Sequence, residues 1–270
     1  MILATLNEFE PYLFIDSKSG SYYSKYEGFI LQSVFQPIVN TQNQIIGYEA
    51  LLRILDHNMN SIRPDLFFNN KSRSLEEILN IERLSRIIHI RNFSIFSSSH
   101  YQLFLNVLPE SAIHFHQHKL ENINMSLLEA RIKELGLTPQ HITLELLEFH
   151  YHDEKRLATA IQDIKDIKDH GFNVAIDDFG SESSCEKRVS SLHPHIIKID
   201  RKLLLQYDKG LTQPLLSAIN LARKENAKVV IEGIETASQY EKMKALGVDY
   251  FQGFLIGKPL PLHQQKHQAA

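Results

Sequence analysis

Apolar positions along this chain follow two rhythms. Short runs of Val, Ile, Leu and Phe read as strands, and longer stretches with an apolar residue at every third or fourth position read as helices. The first two runs, "SVFQPIV" (Ser33 to Val39) and "IIGYEALL" (Ile45 to Leu52), are separated only by "NTQNQ". That linker is too short for a crossover helix, so the pair predicts an antiparallel hairpin. From there the rhythm alternates. A helical segment near Leu75 to Phe93 precedes "YQLFLNVL" (Tyr101 to Leu108), and "MSLLEARIKELGL" precedes "HITLELLE" (His141 to Glu148). Glu154 to His170 sets Leu157, Ile161, Ile164 and Ile167 on one helical face and stops at Gly171. "FNVAID" and "HIIKID" (His195 to Asp200) follow, then a helix marked by Leu215, Leu216, Ile219 and Ala222, then "AKVVIEG" (Ala227 to Gly233). Thr236 and Gln239 form a capping-box pattern that opens another helix. "DYFQG" (Asp249 to Gly253) is the last strand.

Eight strands, alternating with helices from the second onward, predict a TIM-like α/β barrel whose first strand is antiparallel. A doubly wound open sheet shows the same alternation and is the alternative. Residues 1–28 show no clear element and are read as an extension. The barrel is expected over 29–262, with a tail at 263–270 whose "HQQKHQ" reads as frayed. Phe67, Phe68, Phe93 and Phe96 read as core.

Polar residues recur at one place in this pattern, the ends of the apolar runs. Strand two delivers Glu49 and strand three Asn106. Strand four delivers Glu145 and Glu148, strand five Asp177 and Asp178, and strand six Lys198 and Asp200. Strand seven ends in Glu232, with Glu235 just beyond, and strand eight in Gln252. In an α/β barrel these ends converge on one mouth. A lone acid at a strand end is as often a turn former or a solvated edge residue, but the repetition at equivalent places argues for a site. Gathering so many carboxylates costs several kcal/mol per buried ion unless cations offset them. The donors are oxygens, with no His or Cys at the strand ends, which favours Mg²⁺ or Mn²⁺ over Zn²⁺. Adjacent aspartates at one strand end suit two metals about 4 Å apart, the arrangement for displacement at phosphorus.

Composition narrows the context. The chain has 270 residues, 43% hydrophobic and 23% charged, with net charge -3 and no long block of one sign. Neither polymeric nucleic acid nor membrane insertion is expected. The single cysteine, Cys185, excludes an internal disulfide framework. The N-terminus, with early acids and no basic region, reads poorly as a signal peptide, and a cytoplasmic location is expected.

In order along the chain, "FQPIV", "GYEALLR", "LNV", "LELLE", "IDDFG", "IKID", "IEGIET" and "QGF" resemble the motifs of EAL-domain phosphodiesterases, from about Phe29 to Pro261. The resemblance implies a barrel with one antiparallel strand, and hydrolysis of cyclic di-GMP to linear pGpG with two Mg²⁺ or Mn²⁺ ions. By motif position, Glu49, Asn106, Glu145 and Asp177 resemble first-metal ligands. Asp177 and Asp178 resemble second-metal ligands, supported by Glu232. Lys198 and Glu232 resemble the pair that orients or deprotonates the attacking water. Gln36, Arg53, Glu235 and Gln252 fall where the family contacts substrate, and Asp200 and Glu148 resemble supporting residues. The resemblance also implies a homodimer. The sequence departs from the family at "DDFGSESSCE", where the pattern is close to DDFGTGYSSL; that loop couples dimer contact to metal and substrate binding in the family.

Two further readings remain at this level: a cyclic di-GMP receptor with little or no turnover, acting through protein interaction, and a protein-interaction scaffold without nucleotide. The altered loop is what favours the first. His114, His116 and His118 in "HFHQH" read as a surface segment, and Cys185 as a small residue in a turn.

Overall fold

The computed structural model describes residues 1–96, 100–107, 123–147, 154–180 and 186–265. Eleven strands form one sheet: β1 (Leu13–Ile15), β2 (Tyr22–Tyr26), β3 (Phe29–Asn40), β4 (Ile45–Leu55), β5 (Ser61–Ile62), β6 (Gln102–Val107), β7 (Ile142–Leu147), β8 (Asn173–Phe179), β9 (Ile196–Ile199), β10 (Lys228–Ile231) and β11 (Tyr250–Phe251). The helices used below are α1 (Leu6–Phe9), α2 (Pro64–Phe68), α3 (Leu75–Phe96), α4 (Ile123–Glu134), α5 (Glu154–Asp169), α6 (Glu186–Leu192), α7 (Arg201–Asp208), α8 (Gln213–Lys224), α9 (Ala237–Ala245) and α10 (Leu262–Gln265).

Eight of the strands close a ring. β3 pairs antiparallel with β4 on one side and with β11 on the other, and the remaining neighbours, from β4 through β6, β7, β8, β9 and β10 to β11, are parallel. The fold is therefore the α/β barrel with one reversed strand, and the open sheet is excluded by the β3–β11 pairing that completes the ring. No helix among the described residues is long and apolar enough to cross a membrane.

Two apolar layers hold the barrel. The larger lies between strands and surrounding helices, and includes Ile164 and Ile167 of α5, Leu215 and Ile219 of α8, and Phe93 of α3. The smaller fills the barrel interior: Ile38, Phe104, Ala175, Ile196 and Val230, with Ile46 and Tyr250 packed against them. Each comes from a different strand, as expected when alternate residues face inward.

Residues 1–28, where the pattern shows no element, carry α1, a 3-10 turn at Glu10–Tyr12, β1 and β2. β2 pairs with the early part of β3, which is why β3 begins at Phe29 rather than Ser33. Leu3, Phe9 and Tyr26 join Leu31, Ile54, Phe67 and Ile88 in a third buried cluster. The short amphipathic strands β1 and β2 lack the β-branched run that marks a central strand, so their pairing depends on β3. At the other end, part of the expected frayed tail is ordered. Gln265 ends α10 and is buried, its Nε2 donating to the carbonyls of Phe35 and Leu260.

Candidate active site

The period of two that fills the interior also builds the site. Two residues beyond five of the interior apolar residues, toward the C-terminal mouth, stands a polar one: Asn106 after Phe104, Asp177 after Ala175, Lys198 after Ile196, Glu232 after Val230 and Gln252 after Tyr250. β3 runs the other way, so its member is Gln36, two residues before Ile38. Register places Gln36 opposite Glu49, and Asn106 opposite Glu145. An apolar plug thus lies directly beneath a polar layer.

Lys198 stands at the centre, its side chain 1% exposed. Its Nζ lies 2.7 Å from Glu145 Oε1, 2.8 Å from Glu232 Oε1, 2.9 Å from Asp177 Oδ1 and 3.3 Å from Glu49 Oε2. Glu49 is further held by Asn106 Nδ2, donating to Oε1 at 3.1 Å, and by Gln252 Nε2, donating to Oε2 at 2.6 Å. The Gln252 amide also donates to Gln36 Oε1 at 3.2 Å, and Gln36 Nε2 donates to the Gly257 carbonyl at 3.1 Å.

Asp178 should point away from the mouth, since neighbours on a strand face opposite sides. It does not, because the backbone is irregular there. Asp178 has φ 54°, in the left-handed region, and the β8–β9 register shifts between Ile176 and Phe179. The irregularity brings the Asp178 carboxylate to the same side as Asp177. The chain is locked just as tightly at the last strand. Gly253, at φ 154°, lies so close to Ile234 that a Cβ would sit 2.2 Å from its carbonyl oxygen and 2.3 Å from its nitrogen. This contact fixes Gln252 beside Glu49.

Two carboxylate groups result. Glu49, Glu145 and Asp177 each offer an oxygen within 4.8 Å of the others, as do Asp177, Asp178 and Glu232. Asp177 belongs to both. Five acids therefore surround one ammonium, and their proton affinities show the crowding. Burial and then the Glu49 carboxylate raise Glu145 well above the ordinary range. Burial raises Glu232 to about 8, Lys198 pulling it down and Asp177 pushing it up. Burial and then Asp177 raise Asp178 to about 6. Glu49 sits below its ordinary value: burial raises it, and Lys198 with the Gln252 and Asn106 hydrogen bonds more than offsets this.

The donor set suits hard divalent cations. It is all oxygen, it forms two overlapping clusters, and Glu145 Oε2 is buried without a hydrogen-bond partner among the described residues. Glu145 Oε1 meets Lys198 as an ion pair, without the alignment of a hydrogen bond. Divalent cations held by these carboxylates would satisfy such oxygens in place of protons.

The other expected site residues lie farther out. Arg53, on β4, lines a pocket of about 890 Å³ beside the cluster, which Asn106 and Asp178 also line; its Nη1 donates to the Leu52 carbonyl at 3.2 Å. Glu235 pairs with Arg201 at 2.8 Å and is 40% exposed, outside the ring of contacts around Lys198. Asp200 caps α7, accepting from the Lys202 amide at 2.6 Å, and adds to the charge that raises Asp178. Glu148, the 181–185 part of the altered loop with Cys185, and the histidines at 114, 116 and 118 lie outside the described residues.

Sequence reasoning passes over three residues of α3. Glu82, Ser85 and His89 line the same pocket and are buried. Glu82 Oε2 pairs with Arg86 at 2.6 Å, while its Oε1 is buried without a hydrogen-bond partner among the described residues. In sequence, Glu82 and Arg86 look like a surface pair at i and i+4. Only the three-residue spacing to Ser85 and the four-residue spacing to His89, which set all three on one face, could have marked them.

An α/β barrel with an oxygen-only carboxylate cluster at its C-terminal mouth is the architecture of a metal-dependent enzyme. The model of the EAL domain family matches residues 29–259, and the chain belongs to that family, a family of phosphodiesterases. The probable cyclic di-GMP phosphodiesterase PdeB of Escherichia coli K12 is 30% identical over 231 residues, covering 84% of this chain and 42% of that protein. The chain thus spans less than half the length of this relative. Among solved structures, the PaMucR phosphodiesterase in its c-di-GMP complex superposes with TM-score 0.73 at 26% identity, over 87% of this chain and 93% of that one. An EAL domain protein from Listeria monocytogenes EGD-e gives TM-score 0.69 at 26% identity, over 88% and 92%.

Proposed function

We propose that this chain hydrolyses cyclic di-GMP to linear pGpG, using two Mg²⁺ or Mn²⁺ ions held by Glu49, Asn106, Glu145, Asp177, Asp178 and Glu232. The observation that carries this reading is the pair of carboxylate clusters joined through Asp177, beside a pocket large enough for a dinucleotide. The c-di-GMP complex of PaMucR and the name of PdeB support the choice of substrate.

Bound divalent cations supply Lewis acidity at the phosphoryl oxygens and activate water for attack. The residues of the chain do the rest. Glu232 is the most open of the four partners of Lys198, at 19% exposure. It is suited to take a proton from the attacking water. Lys198 orients that carboxylate and offsets charge growing on the phosphoryl oxygens. Water adds at phosphorus, the 3′-oxygen leaves with a proton, and the phosphate stays on the 5′ side. Asn106 and Gln252 hold Glu49 in place. Arg53, half-buried on the pocket wall, offers its planar donor fork to a phosphate.

Purified chain, incubated with Mg²⁺ and cyclic di-GMP and followed by chromatography, is expected to give pGpG, and Glu49→Ala to abolish it while the fold is kept. Absence of product from folded wild-type chain at every metal concentration would refute the reading.

A further inference from the structure

Two ion pairs at the ends of β9 and β10 run in step. Lys198 of β9 meets Glu232, just past the end of β10, at 2.8 Å. Three residues further along each segment, Arg201 meets Glu235, also at 2.8 Å. In both pairs the cation comes from the β9 side and the acid from the β10 side. The inner pair stands in the site, and the outer pair stands at the rim with both partners partly exposed.

Between the two acids lies Gly233, at φ 71°. A glycine backbone is the least restricted of all, so the chain just past Glu232 is where the turn could drift. The stem of Arg201 lies across it. A Cβ on Gly233 would stand 2.3 Å from Arg201 Cγ and 2.6 Å from its Cβ and Cδ, so the stem fills the space of the missing side chain. The root of that stem is fixed, because Asp200 caps α7 through the Lys202 amide and its own amide donates to the Phe179 carbonyl at 3.2 Å. The far end is fixed by Glu235, whose amide donates to Gln239 Oε1 at 2.9 Å. On the other side of the turn Ile234 is buried, its amide donating to the Gln252 carbonyl at 3.0 Å. A partly exposed ion pair adds little to stability, so the consequence of this one lies in geometry.

We infer that Arg201 and Glu235 form a latch over Gly233 that holds Glu232 in place for the reaction. Arg201 is a positioning residue: its stem covers the backbone beside Glu232, and its guanidinium is tied to the next acid along the same turn. The inference rests on the reading of Glu232 as the group that takes a proton from the attacking water. It also gives Glu235 a different task from the substrate contact that its motif position suggests, since its carboxylate is engaged by Arg201. A reacting group displaced by about 1 Å can lose up to about a hundred-fold in rate, so a latch at the rim acts on the chemical step.

The test compares steady-state hydrolysis of cyclic di-GMP, at saturating Mg²⁺, in folded variants of the full chain. Arg201→Ala removes stem and head, and is expected to lower kcat about ten-fold or more with KM within about two-fold of wild type. Arg201→Lys keeps a long stem and a cation, and is expected to bring kcat back to within about three-fold of wild type. Glu235→Gln is expected to lower kcat as well, and its combination with Arg201→Ala to be no worse than Arg201→Ala alone. Hydrogen exchange of the metal-free chain is the second readout. The amides of Glu232 and Ile234, bonded to the Ile199 and Gln252 carbonyls, are expected to exchange faster in Arg201→Ala, while those of β6 and β7 keep their wild-type rates. Unchanged kcat in folded Arg201→Ala, a rise in KM in place of the fall in kcat, losses that multiply in the double variant, or wild-type exchange at Glu232 and Ile234 would overturn the latch. Wild-type chain that makes no pGpG would count against the hydrolysis reading instead, and the exchange rates then decide the latch by themselves.

Discussion

Lys198→Met removes the one ammonium from a cluster of acids and keeps most of the stem. Nζ lies within 3.3 Å of four carboxylates, and the side chain is buried. Removing one partner of a buried ion pair costs about 3–5 kcal/mol, because the other charge stays buried without compensation. Protonation of the acids limits the cost, and this sets the pH dependence. Glu232 titrates at about 8 in the folded chain against an ordinary value of 4.5. Between those values the folded state holds a proton that the unfolded chain releases, so a fall in pH through this window stabilises the fold. Without Lys198 the acids rise further and the effect grows. In urea titrations with chelator present, the variant is therefore expected to be about 3 kcal/mol or more less stable than wild type near pH 8. The gap is expected to narrow toward pH 5.5, and to narrow near pH 8 when Mg²⁺ is added. A gap below about 1 kcal/mol near pH 8, of the size an exposed ion pair gives, or one that widens on acidification, would refute the account of a charge-crowded centre.

Other substitutions test other parts. Gly253→Ala drives a Cβ into the Ile234 backbone, and is expected to cost at least about 2 kcal/mol in urea unfolding and to lower hydrolysis by displacing Gln252; a wild-type midpoint would show that the contact is slack. Asp178→Asn keeps a side chain that tolerates the left-handed backbone, so thermal stability is expected to hold while Mg²⁺-dependent turnover collapses; Asp178→Val is expected to lose about 1–2 kcal/mol as well. His89 is buried against Ser33 and pushed down to about 3 by that burial. The unfolded chain protonates it near 6.5 and the folded chain does not, so the contribution of His89 to stability falls as the pH drops below 6.5, by about 1.4 kcal/mol per unit, opposing that of Glu232. His89→Gln is expected to lack that contribution, and a wild-type-minus-variant difference that is the same at pH 7.5 and 5.5 would contradict it.

Much of this architecture is legible in the sequence because it rests on short-range periodicity. Apolar runs, helical faces and the five-residue hairpin linker order the barrel, and the period of two carries polar residues from separate strands to one level. Other features depend on contacts between distant segments. β1 and β2 are short and half-exposed, and only pairing with β3 makes them strands. The left-handed turn at Asp178 is imposed by the β8–β9 register shift, and nothing in "IDDFG" alone encodes it. Glu82, Ser85 and His89 occupy a polar stripe of α3 that looks solvent-facing until the loop carrying α2 and the end of β4 enclose it. Glu235 shows the converse. It follows an apolar strand as Glu232 does, yet its carboxylate pairs with Arg201 at the rim.

The central claim is that Asp177 is shared between two cations. Crystals grown with Mn²⁺ and measured at the manganese edge test it directly. Two anomalous peaks are predicted, one among Glu49, Glu145 and Asp177 and the other among Asp177, Asp178 and Glu232. A single peak, none, or peaks away from Asp177 would contradict it.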